Sequence, residues 1–462
     1  MSIDVTAFGA IFIPLAVFVF FFLKSQYLLA LLVISSVFQA ASVVNVTVAG
    51  FDVGLPPYYF AALLVFLRYL FAISVAGGIS LAGTRLRLPV LFLLAFWLYS
   101  VTSAFVFPKV FEGLEVYDPR VGIDAQYEQT TPLQGSFSNF GQAIYLTLNT
   151  FAILYVIQVV RFQRQADFLV QVFFGSILVV AFVGLYQRVA SFLGLPFPYD
   201  FLNSNPVYSQ GFNHNVIGIQ RINATFTEPS YAGGFLVSVL VGLFAAYLVG
   251  KKTLRLLGVI IIVFLAFSNT LATTGYVVLP ISVLFLILTY GPISARGYIH
   301  GRYLRGWIAI GAILLTALAA VWLLVSGFGQ AIYNVTFEKT ESLSFVHRIA
   351  SDLHSLELLS YTYGLGVGLG SNRPSSLITY ILSNLGILGF SLFAFFITSL
   401  SRVLYLRSFK AKLHMIFWSL LTFLIAQAVA LPDINFPILW TFLVLIFGLL
   451  RVEEEQICKE SS

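Results

Sequence analysis

The chain has 462 residues, of which 59% are hydrophobic and only 10% charged, and its mean hydropathy is +0.94. A soluble domain carries roughly 25% charged residues, so a soluble enzyme, a nucleic-acid binder and a disordered scaffold all fit poorly. The net charge of +6 has meaning only once it is divided between two sides of a membrane, and the single cysteine, Cys458, rules out a disulfide framework and a cysteine metal site.

A membrane-crossing helix needs about 20 apolar residues. The expected fold is therefore an all-α polytopic membrane protein, one transmembrane domain over residues 1–462 with about 13 helices. The first apolar run, Phe8 to Leu23, has no basic residue before it and Lys24 after it. That is the reverse of a signal peptide, so it is expected to stay as the first span. The further spans fall at 27–44, 58–77, 88–107, 139–160, 168–193, 228–249, 254–270, 274–291, 306–328, 375–399, 413–430 and 434–450. Helix is the expected form, because backbone in lipid must bond within its own segment.

The connections alternate in charge. One set holds 15 basic residues: Lys24, Arg85, Arg87, Arg161, Arg164, Lys251, Lys252, Arg255, Arg296, Arg302, Arg305, Arg402, Arg407, Lys410 and Lys412. The other holds six, Lys109, Arg120, Arg221, Lys339, Arg348 and Arg373. By the positive-inside rule the first set is cytoplasmic, which puts the N-terminus outside and the C-terminus inside. The three long connections, about 108–138, 194–227 and 329–374, then all face outward. Irregular backbone gathered on one face marks the working face. The first of them also carries Glu112, Glu115, Asp118, Asp124 and Glu128, an acidic run that reads as a solvated loop.

Two arginines sit inside apolar spans. Arg188 is near an outer end and can snorkel. Arg68 is mid-span, where an Arg faces a polar cavity or partner. The stretch Arg221-Ile-Asn-Ala-Thr-Phe-Thr-Glu228-Pro229-Ser230-Tyr231-Ala-Gly-Gly reads as a loop entering a helix. Pro229 suits the first turn, and Glu228 suits the positive end of the helix dipole. Arg221, at the bundle mouth with His214 nearby, has no such local reason. Its planar fork matches phosphate oxygens.

In Ser344-Phe-Val-His347-Arg348-Ile-Ala-Ser-Asp352-Leu-His354, the apolar residues Ile349, Leu353, Leu356 and Leu359 recur at helical spacing. A short amphipathic helix on the membrane surface is expected, with Arg348 and Asp352 placed to pair at i,i+4. Then comes Gly364-Leu-Gly366-Val-Gly368-Leu-Gly370-Ser371-Asn372-Arg373. No strand precedes it, so it is no dinucleotide fingerprint, but such a run can bring backbone N–H groups to an anion. Metal-ligand spacing is absent, and no cofactor is called for.

These pieces resemble the O-antigen polymerase and O-antigen ligase family of bacterial membrane glycosyltransferases. The resemblance covers about residues 139–400. It is carried by Arg221 with the Thr-Phe-Thr-Glu-Pro-Ser run; by Thr273-Thr274-Gly275-Tyr276; and by Arg348, the Gly364–Ser371 run and Ser383-Asn-Leu-Gly386-Ile-Leu-Gly389. It implies a GT-C-like bundle in the bacterial inner membrane that polymerises oligosaccharide repeat units carried on undecaprenyl diphosphate into O-antigen, capsule or exopolysaccharide. The partners would be that lipid-linked oligosaccharide, the bilayer and a chain-length regulator, with no nucleic acid. Arg221, Arg348 and Glu228 would be catalytic: the arginines hold the departing diphosphate and Glu228 takes the acceptor proton, with His347 and Asp352 as further candidates for that proton. Arg68, Arg373, His347, Asp352, Ser230, Tyr231, Gly366 and Gly368 would contact substrate. Ligases of the family carry a His-Asn pair where this chain reads Ser371-Asn372-Arg373-Pro374-Ser375-Ser376, so the polymerase reading is preferred. The alternatives are the ligase and a lipid-linked oligosaccharide flippase. A transporter would show two similar halves, which this sequence does not.

Overall fold

The fold is that of a computed structural model, which describes residues 2–48, 51–76, 86–117, 130–206, 215–216, 219–249, 253–295, 343–405 and 411–460. The expected span at 306–328 lies outside these residues, as do Asp118, Asp124, Glu128, His214 and the cations Arg85, Arg120, Lys251, Lys252, Arg296, Arg302, Arg305, Lys339, Arg407 and Lys410.

Each of the other expected spans meets a helix. They are α1 (Ala7–Phe22), α2 (Ser25–Ser35), α3 (Pro57–Ala76), α4 (Arg87–Val110), α5 (Phe137–Val159) and α6 (Gln163–Leu193). After the short α7 (Tyr199–Leu202) come α8 (Pro229–Val249), α9 (Leu254–Asn269) and α10 (Thr273–Ala295). Then follow α11 (Leu343–Tyr361), α12 (Leu377–Tyr405), α13 (Ala411–Ala430) and α14 (Pro437–Glu460). The chain is a multi-pass helical membrane protein. Seven described helices, α3 to α6, α8, α12 and α13, are long and apolar enough to cross a bilayer; α1, α2 and α9 are apolar but shorter, as is the Thr273–Thr289 part of α10. Among the described residues, then, seven helices have the length and composition of a span.

The span expected at 27–44 stops early, at Ser35. There the Ser35 and Ser36 hydroxyls donate to the Leu32 and Val33 carbonyls at 2.9 and 2.7 Å. Beyond them Val44-Asn-Val-Thr-Val48 alternates apolar and polar, the strand period. These residues form β2 (Val44–Val48), which pairs antiparallel with β1 (Ser2–Val5) and β3 (Phe51–Leu55), Ser2 opposite Thr47 and Val44 opposite Leu55. Two smaller ribbons, β4 (Glu115–Tyr117) with β5 (Thr130–Pro132) and β6 (Asn215–Val216) with β7 (Ile219–Gln220), complete the strands among the described residues.

One apolar core runs through the bundle from α1 to α14. At its centre is α8, buried on all sides between α13, α9 and α10. A helix apolar all round belongs in such a place. Gly242 lets it close on α13, since a Cβ there would run into Ser419 and the Met415 backbone.

The two ends of the bundle differ. One end carries the strands and the irregular connections, laced together: Ala40 N–H donates to the Thr225 carbonyl at 3.2 Å and Asn205 N–H to the Ala40 carbonyl at 3.1 Å. At the opposite end Lys412 pairs with Asp167 at 2.7 Å, and Glu454 accepts the Leu86 N–H at 3.0 Å.

Candidate functional site

The site lies at the loop end, where the segment before α8, the helix α11, the start of α12 and the turn between α13 and α14 converge. The segment before α8 is tied down from both sides. Gln187 of α6 receives the Asn223 and Ala224 N–H groups at 3.2 and 2.9 Å and donates to Asn223 Oδ1 at 2.7 Å. Thr225 Oγ1 donates to the Val37 carbonyl at 2.5 Å. Phe226 is buried against Phe235 and Phe436. Arg221 is thereby fixed at the mouth.

Glu228 stands just ahead of α8. Its carbonyl accepts the Ala232 N–H at 3.2 Å, its carboxylate accepts Ser230 Oγ at 2.9 Å, and Pro229 opens the helix. Arg221 lies within electrostatic reach of Glu228, Arg348 and Tyr276. Burial, with Arg348 beside it, lowers the Arg221 pKa while Glu228 pulls it back up; the guanidinium keeps its charge regardless. Its Nε is buried and has no hydrogen-bond partner among the described residues. Among those residues neither Arg221 nor Arg348 forms an ion pair.

The helix α11 is amphipathic, as expected, and its polar side faces the protein. Ser351 and Ser355 are buried, while Val346, Ile349, Leu353 and Leu356 are 43–57% exposed. Such an outward apolar stripe suits lipid. The expected Arg348–Asp352 pair does not form. Asp352 instead accepts Ser375 N–H at 2.9 Å, Ser375 Oγ at 2.6 Å and Thr379 Oγ1 at 2.7 Å, which caps the start of α12. Asp352 is thus a joint between two helices, engaged away from any substrate proton. His347 adjoins Arg348 and is half-buried.

The glycine run has a different use from the one expected. Gly364, Gly366, Gly368 and Gly370 all take positive φ. The Gly366 N–H donates to Thr362 Oγ1 at 3.0 Å, those of Val367 and Gly368 to the Ser383 and Asn384 carbonyls at 2.8 Å, and that of Leu369 to Ser103 Oγ at 3.3 Å. Those carbonyls are open because α12 breaks its helical path at Gly386 (φ 66°, ψ −168°). With Val367 and the intervening amides engaged inside the protein, Gly366 and Gly368 offer no anion cradle; they dock the chain into the kink of α12. A Cβ on Gly366 would lie 2.7 Å from the Asn384 carbonyl oxygen. The docked run delivers Arg373, whose N–H donates to the Tyr117 carbonyl at 3.2 Å. Its guanidinium is in electrostatic reach of Tyr231, Tyr380 and Asp433.

Tyr231 connects the two parts of the site. It feels Arg373, Glu228, Asp433 and Arg348 together, and its ring stacks on Phe436 with centroids 5.0 Å apart. The structure therefore brings Arg221, Glu228, Ser230, Tyr231, Arg348 and Arg373 to one place. Arg68 is not among them. It donates to the Phe20 carbonyl and, at 3.2 Å, to the Leu23 carbonyl, and so caps the C-terminal end of α1 far from the mouth. Arg188 similarly binds the Asn269 side chain at 2.8 Å and its carbonyl at 3.1 Å, at the end of α9.

Sequence reasoning passed over Asp433, in the turn between α13 and α14. Burial raises its pKa, and the Asn435 N–H and Arg373 draw it part of the way back. The signal was present: Leu431-Pro-Asp433-Ile-Asn435-Phe-Pro437 is a very short connection that still holds an acid and an amide.

In comparison with known proteins, the chain matches no family model, no curated protein and no solved structure.

Proposed function

We propose that this protein is a glycosyltransferase that joins oligosaccharide repeat units carried on undecaprenyl diphosphate, working at the outer face of the bacterial inner membrane. The observation that carries the reading is the juxtaposition of Arg221 and Arg348 without an ion-paired acid among the described residues, Arg221 having a buried and unpartnered Nε. Glu228 balances part of this positive charge, and the excess calls for a further anion. A diphosphate offers two charges and several oxygens for the guanidinium forks. Arg373 adds a third cation within electrostatic reach of Tyr231.

In the transfer, an acceptor hydroxyl attacks the anomeric carbon of the donor sugar and the lipid diphosphate leaves. Negative charge grows on the diphosphate. Fixed donors in a low-dielectric site stabilise such charge by about 3 kcal/mol each. Glu228, bound to Ser230, lies within electrostatic reach of Arg221 and supports its charge. The charge asymmetry of the connections puts this end outside. The resemblance in the Arg221 and Arg348 stretches supplies the repeat-unit substrate, and the absence of a His before Asn372 favours the polymerase over the ligase.

The test is purified protein in nanodiscs with undecaprenyl-diphosphate-linked repeat units and no nucleotide sugar. Formation of longer lipid-linked oligomers supports the polymerase. Binding without any transfer supports a carrier instead, and transfer only to a lipid A core sugar supports the ligase.

A further inference from the structure

The turn Leu431–Phe436 is held from several sides. The Asp433 carbonyl accepts Gln427 Nε2 at 2.7 Å, and Asn435 donates to Gln142 Oε1 at 2.6 Å and to the Gln142 carbonyl at 3.0 Å. Asn149 Nδ2 donates to Asn435 Oδ1 at 3.2 Å, Tyr58 donates to Asn149 at 3.0 Å, and the Tyr59 hydroxyl donates to the Asn435 carbonyl. The Trp440 Nε1–H closes the turn on the Ile434 carbonyl at 2.8 Å. A turn fastened to α3, α5, α13 and α14 at once exists to hold something still, and what it presents is the Asp433 carboxylate. Asp433 Oδ1 accepts the Asn435 N–H at 2.8 Å; Oδ2 has no hydrogen bond among the described residues.

Aromatic rings and amides surround it. Tyr59 and Tyr145 stack with centroids 3.7 Å apart, Tyr231 lies on Phe436, and the amides of Gln142 and Asn435 adjoin. Aromatic faces beside amides and a carboxylate suit a polyol with apolar C–H faces. Tyr380 is 5% exposed, and its buried hydroxyl is approached by the Gly370 backbone, which leaves the O–H to donate to a ligand oxygen. Glu228 differs, being engaged with Ser230 and facing Arg221.

We infer that Asp433 is the base that takes the acceptor proton, in a subsite that holds the acceptor sugar against Tyr145, Tyr231 and Tyr380. This rests on the glycosyl-transfer reading above. The acceptor oxygen forms its bond to the anomeric carbon, the bond from that carbon to the diphosphate oxygen breaks with its electron pair going to the diphosphate, and the hydroxyl proton passes to Asp433 Oδ2. Tyr231 is in electrostatic reach of this carboxylate and of Arg373 and Arg348. The groups that face Asp433 are Tyr59 from α3, Tyr145 from α5, Tyr231 from α8, and Arg373 and Tyr380 from α12 and the segment before it. Only Arg373 among them carries charge near neutrality. Burial outweighs it and holds the carboxyl above the usual range, so turnover falls as acid protonates Asp433, at a pH above the ordinary carboxylate value of about 4.

The experiment compares wild type, Asp433→Asn, Asp433→Glu and Arg221→Ala in nanodiscs, reading retention of radiolabelled undecaprenyl-diphosphate repeat unit and turnover against pH. Asp433→Asn is expected to retain the lipid within about threefold, to lose kcat by about 100-fold or more, and to lose the acid limb. Asp433→Glu is expected to keep part of the turnover with a displaced limb. Asp433→Asn turning over within about threefold of wild type with the same limb overturns the base and leaves the transferase reading standing. Wild type that neither retains the lipid nor forms oligomers overturns both. Should Asp433→Asn fail to fold, Asp433→Glu decides: an unchanged kcat and limb overturns the assignment.

Discussion

Asn384 and Asn372 bind each other in both directions: Asn384 Oδ1 accepts the Asn372 N–H at 2.9 Å, and Asn384 Nδ2 donates to the Asn372 carbonyl at 2.8 Å. The side chain in the kink of α12 thus stands in for a strand neighbour to the segment that carries Arg373. Asn384→Ala leaves several buried groups unmatched, each worth about 1–3 kcal/mol. A loss of about 2–4 kcal/mol is expected, read as a lower thermal midpoint in detergent, together with weaker retention of the lipid diphosphate because Arg373 is no longer held.

Gly366→Ala is expected to destabilise by about 2 kcal/mol or more. The residue sits at φ +83°, and the new Cβ would meet the Gly386 nitrogen at 2.6 Å. If this substitution instead weakened diphosphate retention without changing the midpoint, the run would be an anion cradle after all.

Asp352 and Arg68 separate position from chemistry. Asp352→Asn removes the charge from the α12 cap and is expected to cost about 1 kcal/mol of stability while leaving the acid limb of the rate profile in place. Arg68→Ala removes the cap on α1, expected to cost about 1.5–3 kcal/mol, with turnover per folded molecule unchanged. Thermal midpoints and pH–rate profiles on the same samples check both.

Much of the fold was legible because lipid imposes one rule on long apolar runs, and most of the described helices follow them within a few residues, although α14 runs on to Glu460, past the expected end at 450. The exceptions have local causes. The run at 27–44 contains the Ser35-Ser36 pair and alternating valines begin at Val44, so the helix stops at Ser35 and a strand starts at Val44. The two smaller ribbons have strands of two or three residues, too short for a period to show. Within the site, Arg221, Glu228 and Arg348 could be picked out because charge beside apolar spans is conspicuous. The glycine run was misjudged because its partners, Ser383 and Asn384, lie in the next helix and only the break at Gly386 frees their carbonyls. Arg68 looked functional because the carbonyls it caps belong to α1, 48 and 45 residues earlier. Asp433 escaped notice because a single acid in a short turn has no pattern; its meaning comes from Arg373, Tyr145 and Tyr380, which only folding brings near.

The outward stripe of α11 gives a topological prediction. Cys458 is the only native cysteine. In a chain lacking it, Leu353→Cys is expected to resist a membrane-impermeant maleimide in intact cells, whereas Glu357→Cys, 64% exposed on its side chain, is expected to react. Equal reaction at both positions would show that the stripe faces water.

The central claim is that Arg221 and Arg348 grip a lipid diphosphate as it leaves a sugar. It is tested most directly by supplying undecaprenyl-diphosphate-linked repeat units to wild type, Arg221→Ala, Arg348→Ala and the remote Arg161→Ala in nanodiscs and following oligomer length. Longer oligomers are expected from wild type and Arg161→Ala, with the rate falling by about 100-fold or more in each of the other two. Undiminished polymerisation by Arg221→Ala and Arg348→Ala would contradict the account.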